Sequence, residues 1–201
     1  MTRGWPATLR DGDVVLRPLR RSDATAWLDL RARNEQWLRP WEATAPEPPT
    51  GRPPTFVTYA RMLNRQARRG ESLPFAVDHQ GELVGQVTVA SITRGSLCSG
   101  SIGYWVSEHV AGRGIIPTAV ALTVDHCLGP AGLHRVEIAI RPENAASLRV
   151  VAKLGLREEG LRERYLHIQG RWCDHRMFAV TAEEVPDGLL ERWHRTRAEQ
   201  A

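Results

Sequence analysis

Apolar positions recur along this 201-residue chain in two rhythms, and the places where one gives way to the other mark its elements. A β-type run from Val14 to Leu19 predicts a first strand. Ala26, Trp27 and Leu30 then fall at helical spacing, with Ser22 as N-cap and Asp23 in the first turn. The stretch from Asn34 to Pro54, dense in proline from Pro40 on, reads as a constrained loop carrying Trp37 and Trp41. A second helix is predicted from Thr55, ending at Gly70. Alternating runs on either side of Gln80-Gly81 predict a hairpin, and Ser101–Ser107 a further strand.

An apolar helical pattern follows Gly114. Val136, Ile138 and Ile140 then mark one face of a strand that Pro142 closes. Asn144 to Gly155 reads as a helix with a C-terminal glycine. Two strands around a Gln169-Gly170 turn come next, then a tail from Glu184 whose Leu189, Leu190 and Trp193 suit a helix. This order implies an α+β fold, with a mixed, mostly antiparallel central sheet flanked by helices rather than a doubly wound parallel one. One domain over residues 1–185 with a helical tail at 186–201 accommodates it.

Composition narrows the class. With 42% hydrophobic residues the chain can bury a sizeable core. No apolar run reaches 18 residues, so no membrane span is expected, and the N-terminus lacks the apolar core of a signal peptide. Cys98, Cys127 and Cys173 are scattered and without metal spacing, so a reduced cytoplasm and no metal are the expectations. The charge is +4 with a pI near 9.4. Lys153 is the only lysine, and the arginines are spread among acidic neighbours. A nucleic-acid surface normally shows clustering, so no direct nucleic-acid binding is expected, whereas a small anionic ligand fits.

The segment Val106 to Leu128 carries the chemistry. Gly112-Arg113-Gly114 stands where a strand hands over to a helix, and glycine there permits a backbone conformation or an approach that a Cβ forbids. The helix lacks an ordinary N-cap, and Pro117 in its first turn gives up an N–H that would be unpaired anyway. The amides from Gly112 to Ile116 are then free to meet a pyrophosphate at the positive helix end, with Arg113 adding a charged contact. A tight structural turn explains the same glycines.

GYWVSEHVAGRGIIPTAVA resembles the acetyl-coenzyme-A-binding segment of the GNAT superfamily of N-acetyltransferases. Ala111, Gly114 and Ile116 stand at the family's signature places, and only the central glycine matches strictly. RPENAASLRVVAKLGLREEGLRERY resembles the branch acting on protein N-termini, the RimJ/RimL-like ribosomal-protein acetyltransferases, with Leu156 in place of the usual Phe. VVLRPLRRSDA is similar to that branch's first strand and helix.

The resemblance implies a GNAT acyl-CoA N-acyltransferase fold and acetyl-CoA as cofactor. It implies acetyl transfer to an amine by direct attack in a ternary complex, the α-amine of a protein N-terminus being favoured, a ribosomal protein among the candidates. A small-molecule amine, such as an antibiotic or polyamine, and a non-catalytic acyl-CoA sensor stay open, as does a homodimer. The strand Ser101–Ser107 would hold the pantetheine through Trp105, Val106 and Ser107, with a backbone N–H near Val106 polarising the carbonyl. Ala111, Gly112, Arg113, Gly114, Ile115, Ile116 and Pro117 would form the phosphate loop.

Asn144 would bind the pantetheine arm as well as cap its helix. Where many family members carry a proton-donating tyrosine, this chain has Val151, which leaves Ser147 as thiol-side donor. Candidates for the base are Glu137, Glu163, Tyr165 and His167. Asp174-His175 is set aside as a pair, because adjacent strand residues face opposite ways. Trp37, Trp41 and Glu42 would form a substrate wall, with Glu47 also suited to a basic peptide.

Overall fold

One sheet runs through the computed structural model, which describes residues 4–47, 51 and 53–199. Its strands are β1 (Leu9–Asp11), β2 (Val14–Pro18), β3 (Leu73–His79), β4 (Glu82–Thr93), β5 (Ser99–Val106), β6 (Arg135–Ile140), β7 (Arg157–Ile168) and β8 (Arg171–Thr181). The helices are α1 (Ala24–Arg33), α2 (Glu35–Leu38), α3 (Phe56–Arg68), α4 (Ile115–Leu128), α5 (Ala145–Lys153) and α6 (Leu189–Glu199). The strands lie in the order β1-β2-β3-β4-β5-β6-β8-β7, and every pair is antiparallel except β5–β6.

Local chemistry explains the turns. Gln80 and Gly81 take φ of 55° and 86°, and Gln169 and Gly170 take 49° and 81°. Positive φ at both central positions gives the mirror-image turn whose twist matches a hairpin. β1 is an addition to the sequence reading. Three residues are too few to show alternation, and this strand is recognisable only by its pairing with β2. The expected loop around the tryptophans is also more regular than its prolines suggest. Trp37 sits in α2 and Trp41 ends a 3-10 turn, while residues 48–50 and 52 lie outside the described residues.

Parallel β5 and β6 require a crossover, and α4 supplies it. Twelve of its fourteen residues are buried, because it packs against the sheet on one side and α6 on the other. The C-terminal helix is docked firmly there. The Asp125 carboxylate accepts the Leu189 and Leu190 amides at 2.6 and 3.1 Å, and the Trp193 indole donates to Thr118 Oγ1 at 2.9 Å. Leu189 and Trp193 are buried.

At the other end, α1 is tied to the sheet by Arg17, whose guanidinium lies between the Asp23 and Asp78 carboxylates. β7 is an exposed edge, and Arg157, Glu158, Glu159, Arg162 and Arg164 line it. Such charges protect an open edge from unwanted strand pairing.

Candidate active site

The single parallel pair in the sheet is also its weak seam. β5 and β6 pair only from Ser99–Arg135 to Ser101–Glu137, and β6 then runs on to Ile140 without its neighbour. A cavity of about 1340 Å³ fills the divergence. That exceeds the roughly 300–1,000 Å³ usual for small-ligand sites and leaves room for two reactants.

The register settles which backbone groups face this space. Ser107 N–H donates to the Val84 carbonyl at 2.8 Å, so the alternation of an antiparallel ladder turns Val106 away from β4. The Val106 carbonyl confirms the direction by accepting the Trp37 indole N–H at 3.1 Å. The Val106 N–H therefore points into the gap that β6 has left.

The turn after β5 is held by a residue the sequence reading passed over. Asn34, at the end of α1, donates to Ser107 Oγ at 2.8 Å and accepts the Glu108 amide at 2.8 Å, and is itself buried. Ser107 Oγ also meets His109 Nδ1 at 2.7 Å. Ser107 is thus a structural clasp, and its side chain does not reach the cavity wall.

Gly112 and Gly114 take φ of 83° and 82°. Added Cβ atoms would meet nothing within 4 Å at Gly112, and only the Trp193 ring at 3.6 Å at Gly114. Conformation, not crowding, is what calls for glycine here. Gly114 is the N-cap of α4 without a side-chain cap, and the first helical bond is Thr118 N–H to its carbonyl. The amides of Gly112, Arg113 and Gly114 make no hydrogen bond among the described residues. Those of Ile115 and Ile116 belong to the first turn, which has no intrahelical acceptor. Ala111, Gly112, Gly114, Ile115, Ile116 and Pro117 line the cavity, whereas Arg113 turns aside to the His109 carbonyl at 3.1 Å.

Opposite ends of α5 and β5 meet at the same cavity. Asn144 caps α5, its Oδ1 accepting the Ser147 amide at 3.0 Å. Ser147 lines the cavity, and Val151 is buried in the core. Tyr104 of β5, not singled out from the sequence, places its hydroxyl in the neighbourhood of Ser147. The phenolic oxygen is buried and makes no hydrogen bond among the described residues. Burial pushes its pKa up to about 12, with Ser147 acting in the opposite direction.

The second group of wall residues includes Trp37, Trp41, Glu42, Glu137, Arg141, Tyr165 and His175. Among the predicted candidates, Glu163 and His167 do not line the cavity: Glu163 lies beside Arg164, and His167 is bound to Thr44 at 2.8 Å. Glu47 is exposed and also outside the wall.

Each cavity carboxylate already has a cation. Glu42 pairs with Arg31, Glu137 with Arg135 at 2.9 Å and Arg162 at 3.7 Å, and Glu143 with Arg141 at 3.2 Å. His175 was set aside with Asp174, and the two do face opposite ways. Asp174 accepts the Arg164 amide on the outside, but His175 is buried at the cavity.

His175 Nδ1 lies 3.0 Å from the Cys173 carbonyl, so it carries the proton, and Nε2 has no partner among the described residues. Burial lowers the His175 pKa, as does Arg141. The Cys173 carbonyl, Asp174 and Glu143 oppose them. Tyr165 stands edge-on to the imidazole at 5.8 Å.

Comparison with known proteins gives a consistent result. The profile of the family described as Acetyltransferase (GNAT) domain matches residues 13–157. The probable N-acetyltransferase YjcK of Bacillus subtilis is 29% identical over 175 residues, covering 86% of this chain and 96% of that protein. The ribosomal protein uS5-alanine N-acetyltransferase of Escherichia coli is 27% identical over 180 residues, covering 87% and 91%. Among solved structures, Mycobacterium smegmatis RimJ in complex with CoA-disulfide superposes with a TM-score of 0.90 at 40% identity, over 97% of each chain.

Proposed function

We propose, given that this chain belongs to the GNAT acetyltransferase family and is an acetyl-CoA-dependent acetyltransferase, that its acceptor is the α-amine of a protein N-terminus. The observation that carries this is the pairing of every carboxylate in the cavity wall, among the described residues, with an arginine. No free anion remains there to hold a lysine ammonium or to take its proton. An α-amine, with pKa of about 7.7–8.0 against about 10.4 for lysine, is roughly 3.5 kcal/mol easier to deprotonate and needs little help. The name of the Escherichia coli relative, an alanine N-acetyltransferase of a ribosomal protein, supports the same direction.

The residues fit an acyl-CoA. Bound acetyl-CoA supplies an activated thioester for direct attack by the amine. The Val106 N–H, facing the β5–β6 gap, would polarise the thioester carbonyl. The amides of residues 112–116 would receive the pyrophosphate at the start of α4. Asn144 uses its Oδ1 for the cap and keeps its amide N–H groups for the pantetheine. Ser147 stands on the thiol side. On the amine side we assign proton acceptance to His175 Nε2, with Tyr165 packed against its ring and Glu137 in the same cavity wall. Trp37, Trp41 and Glu42 bound the peptide entrance.

The test is competition between two peptides in the presence of acetyl-CoA, read by mass spectrometry. One has a free N-terminus and no lysine, and the other is N-terminally blocked with one internal lysine. Acetylation confined to the free N-terminus is the expected result. Preferential transfer to lysine or to an added polyamine would overturn the acceptor assignment. Tight acetyl-CoA binding with no transfer to any amine would point to a sensor.

A further inference from the structure

The buried hydroxyl of Tyr104 has no role in the reading above, and its position gives it one. Its oxygen is shut off from solvent and has no hydrogen-bond partner among the described residues, and Tyr104 lines the cavity wall. An unmet buried hydroxyl is destabilising, a cost that phenylalanine would avoid at the same shape. The apolar face shared with Ile102 and Val106 would accept that ring without loss. What such a group lacks, then, is a partner that arrives from outside.

Ser147, in the same cavity wall, is the one side chain among the described residues whose hydroxyl acts on the phenol, although no hydrogen bond joins the two. Ser147 is itself incomplete as a donor. An alkoxide is too basic to be left behind when a thiolate departs, so a serine that gives up its proton needs another proton at once. Val151, buried in the core, cannot supply one.

We propose that Tyr104 and Ser147 form a two-hydroxyl relay that protonates the departing sulfur of coenzyme A. This rests on the acetyltransferase reading and deepens it at the thiol side. As the amine nitrogen bonds to the acetyl carbon and the C–S bond breaks, the bonding electron pair goes to sulfur. Ser147 Oγ–H passes its proton to that sulfur, and Tyr104 O–H passes its own to Ser147. The phenolate is reloaded back through the Ser147 hydroxyl, which takes a proton from water admitted to the cavity once the thiol has left, and His175 returns to that water the proton taken from the amine. The sum is one amide and one thiol from one amine and one thioester. Because burial holds the phenol pKa at about 12, Tyr104 enters each cycle protonated and recovers its proton readily.

Tyr104→Phe, Ser147→Ala and the double variant test this. Three readouts are needed: calorimetric coenzyme A affinity, kcat and KM for acetyl transfer to a peptide, and slow release of thiol from acetyl-CoA to water. The last requires no acceptor, so a wrong acceptor and a wrong relay give different results. The expected outcome is a Tyr104→Phe protein that melts no lower than wild type and binds coenzyme A within about threefold. Its kcat should fall by about 10²-fold for peptide and water alike, the scale of general acid catalysis. The double variant should be little worse than either single one, since both remove the same proton path.

A Tyr104→Phe protein with unchanged kcat overturns the relay. So does one whose coenzyme A affinity falls while kcat at saturation holds, because the hydroxyl would then only grip the pantetheine. If wild type transfers to no peptide yet releases thiol and Tyr104→Phe does not, the relay stands and the acceptor assignment falls.

Discussion

Replacing Gly85 by alanine would test the backbone donor without altering any side chain that touches substrate. Gly85 lies opposite Val106 in the β4–β5 pair. A Cβ there would sit 2.3 Å from the Trp105 carbonyl oxygen and 3.1 Å from Val106 Cα. Real Cβ atoms essentially never approach closer than 3.0 Å, and both obstacles are backbone, so no rotamer change relieves the contact. β5 must withdraw where Val106 N–H faces the cavity. Misplacement of reacting groups by about 1 Å can cost around 10²-fold, and loss of an oxyanion donor about 2.7–4 kcal/mol.

Gly85→Ala is therefore expected to lower kcat for peptide acetylation by about 10²-fold. Overpacking should also cost about 1–3 kcal/mol of stability, so the steady-state assay belongs at a temperature where circular dichroism shows the variant folded. Leu16→Ala in β2 is the control. It empties a fully buried site far along the sheet at a cost of about 2–5 kcal/mol, and should leave kcat within about twofold. A folded Gly85→Ala protein that turns over within about threefold of wild type would refute the assignment of Val106 as the donor.

Three other outcomes are expected. Gly114→Ala should lose about 1–2 kcal/mol of stability in denaturant titration, since an L-residue must adopt φ of 82°, and calorimetry should show weakened acetyl-CoA binding. His175→Gln should lower kcat by about 10²-fold. In wild type, kcat/KM should rise with the peptide amine near pH 7.7–8.0, because burial already keeps His175 neutral below its ordinary value of about 6.5; a limb that moved with His175 variants would contradict this.

Glu159, held by Arg135 and Arg157, has its pKa lowered to about 2. A depressed carboxyl stabilises the fold above its unfolded value of about 4.3 and loses that contribution as pH falls toward 2. Glu159→Gln should flatten melting temperature against pH in that window.

Local signals made much of this site legible. Asn144 before a helical pattern, Ser147 one turn in, and Gly112 and Gly114 at a strand–helix junction each speak through neighbours in sequence. The succession of elements and a mixed, mostly antiparallel sheet followed from strand spacing and from turns such as Gln80-Gly81, whereas the order of strands within the sheet came only with the structure. What stayed hidden depends on contacts between distant segments. Asn34 meets Ser107 across 73 residues, and no pattern in either helix or strand announces it. Tyr104 read as one member of an alternating strand, and alternation does not say that its face opens onto a cavity. His175 was dismissed for lacking its neighbour's help, yet the partner that orients it is the Cys173 carbonyl, which every residue possesses and no sequence displays.

The docking of the C-terminal helix reaches further than its place at the end of the chain suggests. Trp193 lies over the side of Gly114 where a Cβ would sit and donates to Thr118, so the last helix buttresses the turn to which we assign the pyrophosphate. Two events that look separate, closing the terminus and gripping the cofactor, then share a free energy, and linkage makes the debt mutual. A chain ended at residue 185 would lose cofactor affinity along with the helix. Saturation with coenzyme A should, in return, slow hydrogen exchange in the amides of α6, although no atom of the ligand need touch them.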